Sequence, residues 1–277
     1  MKGNHSQRRF IRLKRFNRRA TAFLPAALWG LLLSARGAVG QDLGQRSLQK
    51  LIDCPSAGGP ESGSYDFELR AYPDGGVLAG FTVGLFSRLS LGLFHGGTGI
   101  IGYGKPDWNP QPGISAACRL MNESLLLPAL AIGYTDQGYG AWNDSTDRYQ
   151  FKAKGFYAVL GKNFIWRGLG ENGLHFGVNM NPAEGDEKQL DYFAALDFRP
   201  AQPVALIAEY TGALNDDKGD EGYGEGRGYL NAGLRLSFAE RLALDLNLRD
   251  ILNNQMKKFR GGESIGREIR ISYVERF

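Results

Sequence analysis

The chain has 277 residues, 43% of them hydrophobic and 22% charged, with 39 glycines, about double an average share. Its 33 Lys and Arg against 29 Asp and Glu give a formal charge of +4. No uncharged apolar run reaches the ~20 residues of a bilayer-spanning helix, which excludes a polytopic helical membrane protein. Two cysteines exclude a disulfide-dense scaffold, and His5, His95 and His175 are too scattered for a zinc centre. No metal or cofactor is expected.

The first 19 residues contain Lys2, Arg8, Arg9, Arg12, Lys14, Arg15, Arg18 and Arg19 and no acid. An apolar stretch, Ala20 to Leu33, and the small residues Ala38-Val39-Gly40 follow. This order predicts a cleaved signal peptide over 1–40, with an N-terminal membrane anchor as the alternative. Those 40 residues hold nine of the bases and none of the acids, so the mature chain has 24 basic and 29 acidic residues, net −5. Nucleic acid is therefore not an expected partner.

Residues 41–64 form a distinct segment, predicted to be periplasmic. Leu43, Leu48, Leu51 and Ile52 suggest a short amphipathic helix, which Pro55 to Pro60 would end. From Tyr65 to Phe277 the pattern changes to period 2. Leu242, Leu244, Leu246 and Leu248 share one face, with Asp245, Asn247 and Arg249 on the other. Twelve strands are predicted, at 65–72, 77–86, 88–95, 113–121, 125–134, 148–160, 173–180, 190–199, 203–211, 228–238, 241–250 and 267–277. Long Gly/Asp/Asn-rich connections alternate mainly with short ones, although 161–172 is longer than that alternation wants.

Alternation alone fits a secreted β-sandwich with an apolar core as well as a membrane barrel with an apolar exterior. Export, alternating loop lengths, charges and glycines on the minor face and a terminal aromatic favour the barrel. Ile269, Ile271, Tyr273 and Phe277 resemble the assembly signal of outer-membrane barrels, with Glu275 departing from it. The expectation is an all-β protein: a closed antiparallel transmembrane β-barrel of about 12 strands over 65–277, in the outer membrane. Its expected partners are outer-membrane lipid and the barrel-assembly machinery. Tyr134, Tyr192, Tyr210, Tyr229 and Tyr273 would suit interfacial girdles.

A resemblance to YjbH-like outer-membrane barrel proteins is carried by several segments. These are Gly96–Gly102, Asp107–Gly113, Leu127–Tyr134, Asp136–Gly140, Lys154–Tyr157, Gly226–Gly233 and the closing Tyr273-Val274-Glu275-Arg276-Phe277. The resemblance implies a link to exopolysaccharide production or export, with polysaccharide or export components as partners. It supplies no catalytic residues.

On the minor faces, Glu68, Arg70, Arg119, Lys152, Lys154, Asp197, Glu209, Arg235, Asp245, Arg249, Glu268 and Arg270 are predicted to line the lumen. Five acids and seven bases make a mixed set, which suits internal ion pairing better than a single-sign selectivity ring. A substrate path is the competing reading, and segment 41–64 could partly plug the lumen. The function expected is that of a narrow channel or envelope component assisting exopolysaccharide or lipid export, not an enzyme. Two alternatives stand beside it, a lipid-acting hydrolase built on His95 with Ser87 or Ser90, and a closed structural or adhesive barrel. His175 is expected to be a satisfied lumen histidine. The acids of loop 212–227 fit a solvated loop better than a Ca²⁺ site. Trp108 and Trp142 either stack sugars or rest on the rim, and Cys54 and Cys118 are read as free thiols.

Overall fold

The computed structural model describes residues 50–166, 170–185, 188–216, 223–238, 241–256 and 265–277. The expected signal peptide, residues 41–49 and the loop acids Asp217, Asp220 and Glu221 lie outside them.

Fifteen strands are present among the described residues: β1 (Ser64–Tyr72), β2 (Gly76–Leu85), β3 (Leu89–Thr98), β4 (Asp107–Trp108), β5 (Gly113–Met121), β6 (Ala129–Thr135), β7 (Tyr139–Asn143), β8 (Arg148–Phe151), β9 (Gly155–Trp166), β10 (Gly170–Met180), β11 (Asp191–Ala201), β12 (Val204–Thr211), β13 (Tyr229–Phe238), β14 (Leu242–Arg249) and β15 (Gly266–Arg276). Twelve of them close into one antiparallel barrel in the cyclic order β1-β2-β3-β5-β6-β9-β10-β11-β12-β13-β14-β15. The seam is β15 on β1, running in register from Tyr65 opposite Glu275 to Ala71 opposite Ile269. β4 is a short addition to β3, and β7 and β8 form a separate hairpin.

The period-2 pattern sorts side chains by chemistry. On β14, Asp245, Asn247 and Arg249 are buried inside, while Leu242, Leu246 and Leu248 are 42–46% exposed outside. Phe67, Leu69, Phe81, Leu93, Ile114, Ile132, Phe156, Leu160, Phe176, Leu196, Leu206, Ile269 and Ile271 extend that outer apolar surface round the wall. Closure pairs the backbone groups between neighbouring strands, which leaves an exterior that hydrocarbon can solvate. This is a transmembrane barrel, inverted relative to a soluble sandwich.

Element boundaries differ from expectation in three places. The strand expected at 148–160 is two, β8 and β9, separated at 152–154, because Gly155 takes φ +64° and turns the chain from the hairpin into the wall. A Cβ there would come within 2.4 Å of the Met180 carbonyl oxygen, so glycine is required. The connection expected at 161–172 is mostly wall, since β9 runs to Trp166 and β10 begins at Gly170. Residues 125–128 precede β6, with Leu125, Leu126 and Leu127 exposed.

Ile269, Ile271, Tyr273 and Phe277 all lie on the outer face, 36–78% exposed. Glu275 is held by Arg241 at 2.7 Å and by the Tyr273 hydroxyl at 2.6 Å. Tyr229 departs from the girdle expectation. It is buried inside and donates to Asp216 at 2.6 Å.

Because Ile271 faces outward on the last strand, Ile271→Arg should destabilise the barrel in bilayers by about 2–4 kcal/mol if near the midplane. Equilibrium refolding into vesicles measures this, and an unchanged midpoint would contradict an outer, lipid-facing position.

Candidate functional site: a plugged lumen

An eight-stranded barrel is filled by its own side chains, whereas a twelve-stranded wall encloses more space than its side chains fill. Here much of that space is taken by the chain itself. Leu51, Ile52, Cys54 and Ala57 are 1–3% exposed, packed inside the barrel against Ala129, Ala131, Val159, Phe193, Ala195 and Ile207. Of the segment expected to precede the barrel, residues 50–60 thus act as a lumen plug.

The expected helix is not formed where the structure describes it. Residues 52–54 bend, with a bridge between Lys50 and Pro55. The barrel wall supplies the partners that a helix would have supplied internally. The Glu209 carboxylate accepts from the amides of Ile52 (3.2 Å), Asp53 (2.9 Å) and Cys54 (2.9 Å). Consecutive amides converging on one anion form a nest. The carbonyls are taken by arginines of the strands that follow β12 round the wall: Arg270 donates to Leu51 and Ile52, Arg70 to Ile52, and Arg235 to Lys50.

Charges complete the attachment. Arg249 grips the Asp53 carboxylate through both terminal nitrogens (3.0 and 2.5 Å), and Arg70 reaches the same group at 3.2 Å. Lys50 returns the contact, bonding Asp66 at 3.1 Å and Glu68 at 2.8 Å. Arg70 lies directly opposite Arg270 across the β1–β15 seam, a like-charge pair that would repel. Asp245 offsets one member, ion-paired with Arg270 and held bidentately by Arg235 at 2.7 and 2.9 Å. Glu68 and Asp53 offset the other.

The remaining members of the expected lumen set also face inward or crown the mouth. Glu268 accepts from Arg249 (3.0 Å) and Asn247 (2.9 Å). Asp197 holds Arg199 at 2.9 Å and His175 at 3.0 Å, both through its carboxylate. Arg119 donates to the Gly59 carbonyl, Lys154 to Thr211, and Lys152 to the Asn215 carbonyl at the mouth. The apolar stretch of lumen formed by Val159, Phe193 and Ile207 is a departure from the polar interior expected, because this wall receives Leu51 and Ile52. No single residue in those strands announces it, since an inward Val or Phe reads as ordinary strand composition.

A second element closes the end bearing the long loops. The β7–β8 hairpin folds inward, so Tyr139 is 7% exposed and bonded to Glu268. The Arg249 guanidinium sits 3.3 Å from the Tyr139 ring centroid, and the Tyr72 ring packs tilted against the same ring at 4.7 Å. Arg249 therefore touches the plug and the hairpin at once. Trp142 packs edge-on against Tyr149 within that hairpin, while Trp108 stacks on His95 outside. Cys54 is inside and Cys118 belongs to the outward-facing set of β5, so both are free. Asp216 is consumed by Arg148 and Tyr229, and no cluster able to hold a metal occurs among the described residues.

Glu184, in the loop after β10, is buried and accepts from the Ala153 amide at 3.2 Å. Burial pushes its carboxyl up to about 7, against the pull of that amide and of Arg148.

No protein-family model matches the chain, and no curated protein matches it. Among solved structures it is similar to the KdgM porin, at 8% identity and TM-score 0.42, covering 77% of this chain and 99% of that one. It is similar to the NanC porin at 7% identity and TM-score 0.43, with the same coverage. Similarity to Salmonella typhi OmpF in a daunomycin complex is 14% identity and TM-score 0.32, covering 72% of this chain and 61% of that one.

Two outcomes follow from this geometry. Glu209→Ala orphans three plug amides, each worth about 1–3 kcal/mol when buried unpaired, and should free the plug. In a Cys118→Ala background, a water-soluble maleimide should label Cys54 at least tenfold faster in the Glu209→Ala protein than without it. Equal rates would show that Glu209 does not hold the segment. For Glu184, the fold prefers the neutral acid, so its contribution is complete below about pH 4.5 and lost as pH rises through 7. Proteolysis of the hairpin should be faster at pH 8 than at pH 5, and Glu184→Gln should remove the difference.

Proposed function

We propose that this chain is a non-enzymatic outer-membrane channel held shut by its own residues 50–60. The observation carrying this reading is the plug: it takes up much of the lumen, yet is fixed to the wall only by reversible bonds and leaves a cavity of about 250 Å³ beside it. A structural barrel has no need of a detachable filling when its wall could carry larger inward side chains. Outer-membrane placement is supported by the apolar exterior and by the signal-like first forty residues. Passage of exopolysaccharide or lipid is the finer form of the proposal and is supported by the YjbH-like sequence resemblance.

The lipid-hydrolase alternative gains nothing from the site. His95 faces outward and stacks on Trp108, whereas Ser90 lines the lumen cavity. Ser87 lies in the turn before β3, and His95 is six residues into that strand, roughly 20 Å along it.

In planar bilayers the intact protein should show rare, small openings, and Glu209→Ala should raise the open probability at least tenfold. Removal of residues 50–58 should give a permanently open step. A deletion protein that folds, shifts on heating and conducts nothing would refute the channel.

A further inference from the structure

The lumen has two unlike sides. β13, β14, β15 and β1 carry most of the ion pairs that hold the plug, and β6, β9, β11 and β12 carry the apolar seat. The lumen faces of β2, β3 and β5, continued by Gly133 and Thr135 of β6, are different: Gly, Ala, Ser and Thr predominate, with Arg119 alone charged, toward the end of β5 far from the long loops. The plug touches this side at Gly59, which Arg119 holds, and the 250 Å³ cavity lies between the plug and Thr82, Ser90, Phe94, Ser115, Ala117 and Thr135.

At one level of the barrel, Thr82, Gly92, Ser115 and Thr135 are direct cross-strand partners on four successive strands. Three hydroxyls therefore lie in one row over a glycine floor. A Cβ at Gly92 would come within 2.4 Å of the Ser115 hydroxyl and 2.9 Å of that of Thr82, so the floor is low only because it is glycine. The Thr82 hydroxyl and the Asn179 amide oxygen, on residues 6% and 3% exposed, have no hydrogen-bond partner. Buried polar atoms left in that state are satisfied by water or ligand. The aromatic rings of Phe94 and Tyr157 also border the cavity.

Charge decides the ligand class. Four cations, Lys50, Arg70, Lys152 and Lys154, and four anions, Asp53, Glu68, Asp191 and Asp216, border the cavity. Lys50 and Arg70 are committed to carboxylates, and Asp216 to Arg148. Charge that balances four against four, with Lys50, Arg70 and Asp216 in ion pairs, gives no field that concentrates one sign of ion. We infer that the cavity beside the plug is a binding site for an uncharged polyhydroxylated solute of saccharide type. The hydroxyl row and the Asn179 oxygen exchange hydrogen bonds with its hydroxyls, and its apolar C–H faces rest on Phe94 and Tyr157. The inference deepens the channel reading and rests on it only for the claim that the bound solute is cargo.

Titration calorimetry of the full chain in a non-glycosidic detergent tests the site with glucose and maltose. Gluconate serves as a charged counterpart, and tetraethylene glycol as a solute with hydroxyls only at its ends. Saturable saccharide binding is expected, at least tenfold tighter than for gluconate or tetraethylene glycol. It should weaken at least tenfold in Thr82→Val/Ser115→Ala and in Gly92→Ala, each checked for folding by heat-modifiability. No saccharide binding, equal binding of all four probes, or binding unchanged in both variants would overturn the site. Saccharide binding with no conductance from the Glu209→Ala protein would keep the site and overturn its role as a cargo site.

Discussion

The structure depends on one geometric constraint. Twelve tilted strands enclose a lumen wider than their own inward side chains can fill, and an unfilled lumen is a water-filled pore. Residues 50–60 meet that constraint from within the chain. Their backbone enters a polar environment without helix or sheet to satisfy it, so the wall must provide the partners. Glu209 takes the amides, and Arg70, Arg235 and Arg270 take the carbonyls. The buried charges on those strands follow from this requirement.

The same residues explain why the charged set is mixed. A buried ion is costly unless it is paired and its remaining hydrogen-bonding capacity is used. Arg249 shows the solution: its guanidinium serves Asp53, Glu268 and the face of Tyr139 together. A site of this kind couples plug to hairpin, since moving either exposes the cation to an incomplete shell. Reversible attachment at a few shared groups is what a gate requires, and covalent or purely apolar filling would not supply it.

Much of the barrel was legible in the sequence because period-2 alternation is a local signal. β5 matches its expected span of 113–121, and the Leu and Asp/Asn/Arg faces of β14 point as the pattern demands. The alternation that sets Asp245, Arg249, Glu268 and Arg270 against outward Leu and Ile is of the same local kind, whereas Lys152 and Lys154 fall in the break between β8 and β9. The plug's conformation was not legible. Leu51 and Ile52 have helical spacing with Leu48, and the bend they adopt is dictated by Glu209, more than 150 residues away. The apolar seat at Val159, Phe193 and Ile207 was hidden for a related reason: inside and outside are both apolar there, so alternation carries no contrast. The break between β8 and β9 turns on Gly155, whose positive φ is invisible in a glycine-rich chain.

The central claim is that the segment around Ala57 resides inside the wall. A Cβ placed on Gly161 would lie 3.1 Å from the Ala57 Cβ, close to the separation that a disulfide bridges. The measurement is oxidative cross-linking of Ala57→Cys with Gly161→Cys, in a chain whose Cys54 and Cys118 are replaced by alanine. Near-complete intramolecular cross-linking of the membrane-inserted protein is expected, with a channel that reducing agent alone can open. A folded barrel in which the two cysteines stay reduced, or cross-link without any effect on conductance, would contradict it.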